Sequence, residues 1–240
     1  MERGGAGGGV GVAAPAPPPA AGYPGLVVTT EFSRTDAVTA LRHAAGPHGT
    51  IVVGNRGRGG FGSLLLGSVG LSTAATAVNP VVVVRGPDGE RARGTVLVAV
   101  RDEDDLACAR YAAREAGLHG AALRVLHVWN VLRSAGSMVS MLDGVDEIAG
   151  EHAETLKAVT DTIREEFPDL AVEARAEAGG SVAGVLVEAS GHADLLAMGG
   201  RRAPGPLGLG PNLGRATHSA LHHALCPVLF LPRPAGPGTP

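Results

Sequence analysis

The chain has 240 residues, 45% of them hydrophobic, with 20 Lys+Arg against 23 Asp+Glu and a formal net charge of −3. That balance excludes a protein that coats a polyanion, and an aromatic content of only 3% excludes a base-stacking platform for single-stranded nucleic acid. The apolar fraction is enough for a core, so global disorder is excluded too.

Residues 1–22 are nearly all Gly, Ala, Pro and Val and read as low-complexity, disordered chain with no signal-peptide core. Residues 26–30 read as a strand. Ala37, Val38, Leu41 and Ala44 give 36–45 a helical spacing, and 50–53 is a short apolar run of the kind buried on both faces. A Gly-rich loop over 54–66 leads to a helix over 68–78, stopped by Asn79-Pro80, and a buried strand at 81–84. After a linker over 86–94 come strand 96–100, helix 104–117 and strand 123–128. An excursion over 129–145 leads into helix 146–167, which Pro168 ends. Strand 171–176, helix 181–190, strand 194–198, a Gly/Pro loop, helix 215–224 and strand 228–231 close the pattern. Short buried strands alternating with helices predict an α/β fold with doubly wound parallel sheets of the Rossmann-like type.

The pattern repeats. Residues 26–84 match 170–231 element for element, and Gly67 stands as far from Pro80 as Gly214 does from Pro227. The first copy therefore holds only the second half of the unit. The expected division is 1–22 low complexity, 23–86 a partial unit, 87–94 a linker, 95–234 a complete unit and 235–240 a tail. The missing strand–helix–strand–helix is expected in the DNA upstream, with 1–22 a misread or frameshifted stretch of a GC-rich gene; 37 Gly and nineteen Arg against the single Lys157 motivate that reading. Unpaired strand edges invite pairing, so the last strands, 81–84 and 228–231, are expected to pair within one chain or between two.

After the strand at 50–53 the chain reads Gly54-Asn55-Arg56-Gly57, then nine residues, then Gly67-Ser68. A loop leaving the carboxyl end of a parallel strand and entering a helix suits a phosphate, because the free N–H groups and the dipole of the first turn face the anion. Gly54 and Gly57 permit close backbone approach, Ser68 offers a hydroxyl, and Arg56 adds positive charge.

This G-x2-G-x9-G-S spacing, with Ile51-Val52-Val53 before it and Asn79-Pro80-Val81 after it, resembles the nucleotide-binding signature of the universal stress protein family. The closing His222-His223-Ala224-Leu225-Cys226-Pro227-Val228 is similar to that family's last helix and strand. The resemblance implies a protein of stress-response regulation that binds ATP or another adenine nucleotide, with or without Mg, through Gly54, Asn55, Arg56, Gly57, Gly67, Ser68 and the Val69 backbone. It implies no dedicated catalysis beyond weak ATP hydrolysis, a cytoplasmic site of action, and a homodimer or intramolecular pseudo-dimer through the last strands. The alternative is a structural, dimerising member that binds no nucleotide.

The second copy departs from the family pattern. Arg101 stands where the family ends its first strand in Asp, Arg202 replaces the second loop glycine, and Arg215 replaces the serine after Gly214. Its loop, marked by Gly199, Gly200, Gly214 and Arg215, is expected to be degenerate, and this copy is expected not to bind nucleotide.

Other features read as structural. Gly57 to Gly62 also fits G-x-G-x-x-G, but the next strand ends in Arg85 rather than an acid. His218 and His222 stand one helical turn apart without a third metal ligand. The acidic run at 102–105 reads as a helix-start charge cluster, His127 and Trp129 as packing, and Cys108 and Cys226 as small buried apolar residues. Neither a catalytic triad nor a carboxylate pair emerges. No apolar run reaches the roughly 18–20 residues of a membrane-spanning helix.

Overall fold

Runs such as Val81–Val84 and Thr95–Val100 hold almost nothing but aliphatic side chains, the composition of strands covered on both faces. The computed structural model, which describes residues 25–54, 66–85, 92–130, 143–200 and 213–233, places them in one seven-stranded sheet. In chain order the elements are α1 (Ala37–Ala45), β1 (Ile51–Gly54), α2 (Ser68–Ala75), β2 (Val81–Val84), β3 (Thr95–Val100), a 3-10 turn (Glu103–Asp105) and α3 (Leu106–His119). They continue with β4 (Ala122–Trp129), α4 (Asp143–Glu166), β5 (Val172–Ala178), α5 (Val182–Ser190), β6 (Leu195–Gly199), α6 (Arg215–His223) and β7 (Val228–Leu231). None of these helices is long and apolar enough to cross a membrane.

The spatial order is β1-β2-β7-β6-β3-β4-β5, and every pair is parallel except β2 with β7. Strands β7-β6-β3-β4-β5 with α3 to α6 make a complete doubly wound unit. Strands β1 and β2 with α1 and α2 repeat the α5-β6-α6-β7 order in a smaller unit without counterparts of β3 to β5 among the described residues. The two sheets fuse through their last strands, in the register Val81↔Phe230, Val82↔Leu229 and Val83↔Val228.

Alternation along the strands sorts the core into two faces. Leu97, Leu126, Leu196, Phe230, Val81, Val83 and Ile51 point to one face, where α5 and α6 contribute Leu186 and Leu221, and Leu41 of α1 and Leu71 of α2 pack alongside. Val96, Val98, Val100, Leu123, Val125 and Leu229 point to the other, under α3 and α4. Cys108 and Cys226 are free thiols, one in each core, and burial pushes Cys226 up to about 12. Both are small apolar fillers.

Two local signals work as the sequence suggests. Gly120 ends α3 in the left-handed conformation, at φ 61°, which spares a side chain the clash it meets there. Asn79 is 2% exposed, and its amide donates to the carbonyls of Gly46 and Gly49 at 2.7 and 3.1 Å, satisfying the tight loop that connects α1 to β1.

The strand expected over 26–30 does not form. Residues 25–36 make a separate unit from the chain beginning at Ala37, with a turn at Gly25 and a Ser33–Thr35 hydroxyl contact. The reason lies in the topology. The equivalent strand in the complete unit, β5, is hydrogen-bonded only to β4. Among the described residues no strand takes the place of β4 beside 26–30, and a strand without a neighbour leaves its backbone groups unpaired.

Candidate active-end cavity of the complete unit

Strand β3 runs out at Val100, and the next residue, Arg101, folds back over the end of the sheet. Its backbone N–H and its Nε both donate to Asp105 Oδ2 at 2.9 Å, and its Nη2 donates to Asp105 Oδ1 at 2.6 Å and to the Gly200 carbonyl at 2.7 Å. Arg233, just past β7, donates to Asp105 Oδ1 at 3.0 Å and to Asp104 Oδ2 at 2.9 Å. Asp105 is only 1% exposed, so its charge is neutralised by two guanidinium groups rather than by water. The acidic run is thus partly an inward-facing buttress: it ties the end of β3 to the loop after β6 and to the chain after β7.

That network also explains Gly199. A Cβ there would collide with Asp105 Oδ1 and crowd Arg101 Nη2. Gly199→Ala is therefore expected to lower stability by about 1–3 kcal/mol through overpacking, read from urea unfolding midpoints. A loss near zero would mean the buttress is soft.

Beside the buttress lies a cavity of about 620 Å³ at the carboxyl ends of β3, β4 and β6. Strand β3 sits between β4 and β6, so the cavity marks the switch point of the unit, where open α/β sheets hold their ligands. Ala99, Leu126, Val128, Leu186 and Met198 supply an apolar wall. The polar contributions come from Arg101, Asn130, Ser181, Arg215 and Thr217, and among the described residues no carboxylate lines the space. Two helices begin there. Ser181 caps α5 by accepting from the Gly184 N–H at 3.2 Å, while Gly214 caps α6 with no side-chain bond to its free N–H groups. Arg215 opens α6, exposed and without an ion pair among the described residues. Thr217 is 4% exposed and lines the cavity, and its hydroxyl has no hydrogen-bond partner among the described residues.

The sequence-predicted residues therefore fall in two places. Gly199, Gly214 and Arg215, read from the sequence as marks of a degenerate loop, stand on the cavity wall, and Gly200 binds Arg101 through its carbonyl. In the incomplete unit, Gly54 ends β1, and Gly67 caps α2 in extended conformation, at φ −64° and ψ 157°. Ser68 and Val69 are exposed on the first turn of α2. Asn55, Arg56 and Gly57 lie outside the described residues. Sequence reasoning missed Thr217 and Asn130, which carry no motif; only their places, at a helix start and a strand end, give them a role.

His127 and Trp129 face away from the cavity, toward α4. His127 Nδ1 donates to the Val100 carbonyl at 2.9 Å, its Nε2 lies 2.8 Å from His152 Nδ1, and the His152 ring stacks on Trp129 at 4.7 Å between centroids. Burial first, then His152, holds His127 below the usual imidazole range. Among the described residues no group of three or more His, Cys, Asp or Glu side chains is placed to hold a metal.

Comparison with known proteins agrees with this architecture. The sequence model of the universal stress protein family matches residues 93–232. A universal stress protein of Mycolicibacterium smegmatis is 31% identical over 214 residues, which cover 86% of this chain and 69% of that protein. One of Mycobacterium bovis is 28% identical over 211 residues, covering 85% of this chain and 68% of that protein. The crystal structure of a universal stress protein from Archaeoglobus fulgidus, 22% identical, matches with a TM-score of 0.58 over 86% of this chain and 68% of that chain. With its family model spanning the complete unit and a relative aligned across both, this chain belongs to the universal stress protein family.

Proposed function

We propose that the chain binds an adenine nucleotide such as ATP in the cavity of its complete unit and acts as a nucleotide-responsive regulator in the cytoplasm. One observation carries the reading: among the described residues the cavity pairs an apolar wall with two arginines and no carboxylate, beside the start of α6, which no side chain caps. The apolar wall suits a flat base, and the α6 N–H groups, Arg215 and the Thr217 hydroxyl suit phosphate oxygens. The volume lies within the about 300–1,000 Å³ that small-ligand pockets occupy. The Arg101 guanidinium, held by Asp105, stands as a donor at the end of β3 where the family pattern has an acid. A Mg ion fits the described lining only as a passenger on the phosphates, because no carboxylate among the described residues stands there to ligate it.

A second reading puts the phosphates at Gly54, Gly57, Gly67 and Ser68 of the incomplete unit. It is favoured by the exposed first turn of α2 and by charge: residues 37–85 carry four Arg and no Asp or Glu. Calorimetric titration with ATP separates the two. Arg215→Ala is expected to weaken binding about tenfold, the worth of one partly exposed charge-assisted hydrogen bond, while Gly67→Val with Ser68→Ala leaves it unchanged. The opposite pattern assigns the nucleotide to the incomplete unit, and no heat from the wild type leaves a structural, dimerising protein.

A further inference from the structure

We infer that His222 is an acid-sensitive switch through which the complete unit holds the loop end of the incomplete one. The imidazole sits on α6, 8% exposed, and its Nδ1 accepts the backbone N–H of Leu66 at 3.3 Å. Leu66 is itself 6% exposed and immediately precedes Gly67 and Ser68, where α2 starts. A neutral imidazole that accepts at Nδ1 carries its proton on Nε2, and Nε2 is buried here with no partner. In the repeat, the residue at the same offset from its glycine is Ala75. The contact is therefore one-sided, and only the incomplete unit's loop depends on it.

Protonation destroys this arrangement. An imidazolium has N–H at both nitrogens, so it would present a donor to the Leu66 donor. Among the described residues the charged groups that face it are basic: His218 with ring centroids 4.5 Å away, His223 at 6.1 Å, and Arg85 at the end of β2, whose guanidinium also donates to the Ala224 carbonyl. Burial first, then these neighbours, holds His222 below the ordinary imidazole value. A histidine lowered on folding contributes fully above its unfolded value, about 6.5, and the contribution is lost as pH falls through the folded value. Acid therefore releases Leu66, and with it the start of α2, whether or not a nucleotide binds there.

Amide hydrogen exchange of the full chain, corrected for intrinsic rates, tests this without any ligand. Between about pH 7.5 and about pH 5 the Leu66 amide is expected to lose protection about tenfold or more, while β3 amides keep theirs. His222→Gln, which retains an acceptor but takes no proton, is expected to keep Leu66 protected at both pH values. His222→Phe is expected to leave it open at both. Protection of Leu66 that does not change with pH, a parallel loss in β3, or a Gln variant that titrates like the wild type would overturn the inference. Imidazole nitrogen shifts of the wild type give an independent check: the proton of neutral His222 must be on Nε2, and finding it on Nδ1 would overturn it equally.

Discussion

Phe230→Ala is expected to cost about 3–5 kcal/mol of unfolding free energy. The side chain is fully buried on β7, with Val81 opposite it across the antiparallel junction and Met198 beside it on β6. It lies in the same core as Ile51, Val83 and Leu221, so the cavity left by truncation opens between residues from both units. Neither a backbone shift nor a neighbouring side chain readily fills it, because the ring also packs under Gly200, where a Cβ would stand 3.2 Å from Phe230 Cζ. The junction is only three residue pairs long. Weakening it is expected to expose β1 and β2 amides to exchange before those of β4. Urea unfolding checks the magnitude; a loss below about 1 kcal/mol would show that the junction is not where the two halves are joined energetically.

Asp105→Ala is expected to cost a similar amount, about 3–5 kcal/mol, the usual effect of removing one partner from a buried ion pair. The carboxylate accepts from the Arg101 backbone, Arg101 Nε and Nη2, and Arg233 Nη2. Without it two guanidinium groups face each other, one of them on a side chain only 14% exposed. Asp105→Asn keeps the shape and part of the hydrogen bonding, so its loss is expected to be smaller. Because Arg101 also lines the cavity, Asp105→Ala is expected to disturb ligand binding as well as stability. Equal thermal midpoints for wild type and the Ala variant would mean that water already serves the two arginines.

Much of the architecture is legible in the sequence because it is carried by local composition. The aliphatic runs of β1, β2, β3 and β7 and the Pro and Gly residues that stop the helices announce parallel α/β units. The common offset of Gly67 to Pro80 and Gly214 to Pro227 announces the repeat. What escapes is long-range. The strand expected at 26–30 has the right composition but finds no partner strand among the described residues. Asp105 reads as one of four acidic residues at a helix start, since nothing local reveals that Arg233, 128 residues later, closes over it. The kind of site was legible in the sequence, whereas the cavity at the end of β3 was not, because no motif marks its lining. Arg215 in the serine position reads as decay of a motif, whereas in space it adds positive charge to an apolar cavity with no carboxylate among its described residues. His222 reads as one of three histidines on a solvated or interface helix face, and only the packing of α6 against the start of α2 makes it a buried acceptor.

The most direct measurement is photolabelling of the purified chain with an azido-adenine analogue of ATP, followed by peptide mapping with and without excess unlabelled ATP. Nucleotide binding in the complete unit predicts competed label on peptides that carry Ala99, Val128 or Met198, the apolar wall of the cavity. Competed label confined to peptides of the 54–68 loop, or no label that ATP displaces, would contradict it.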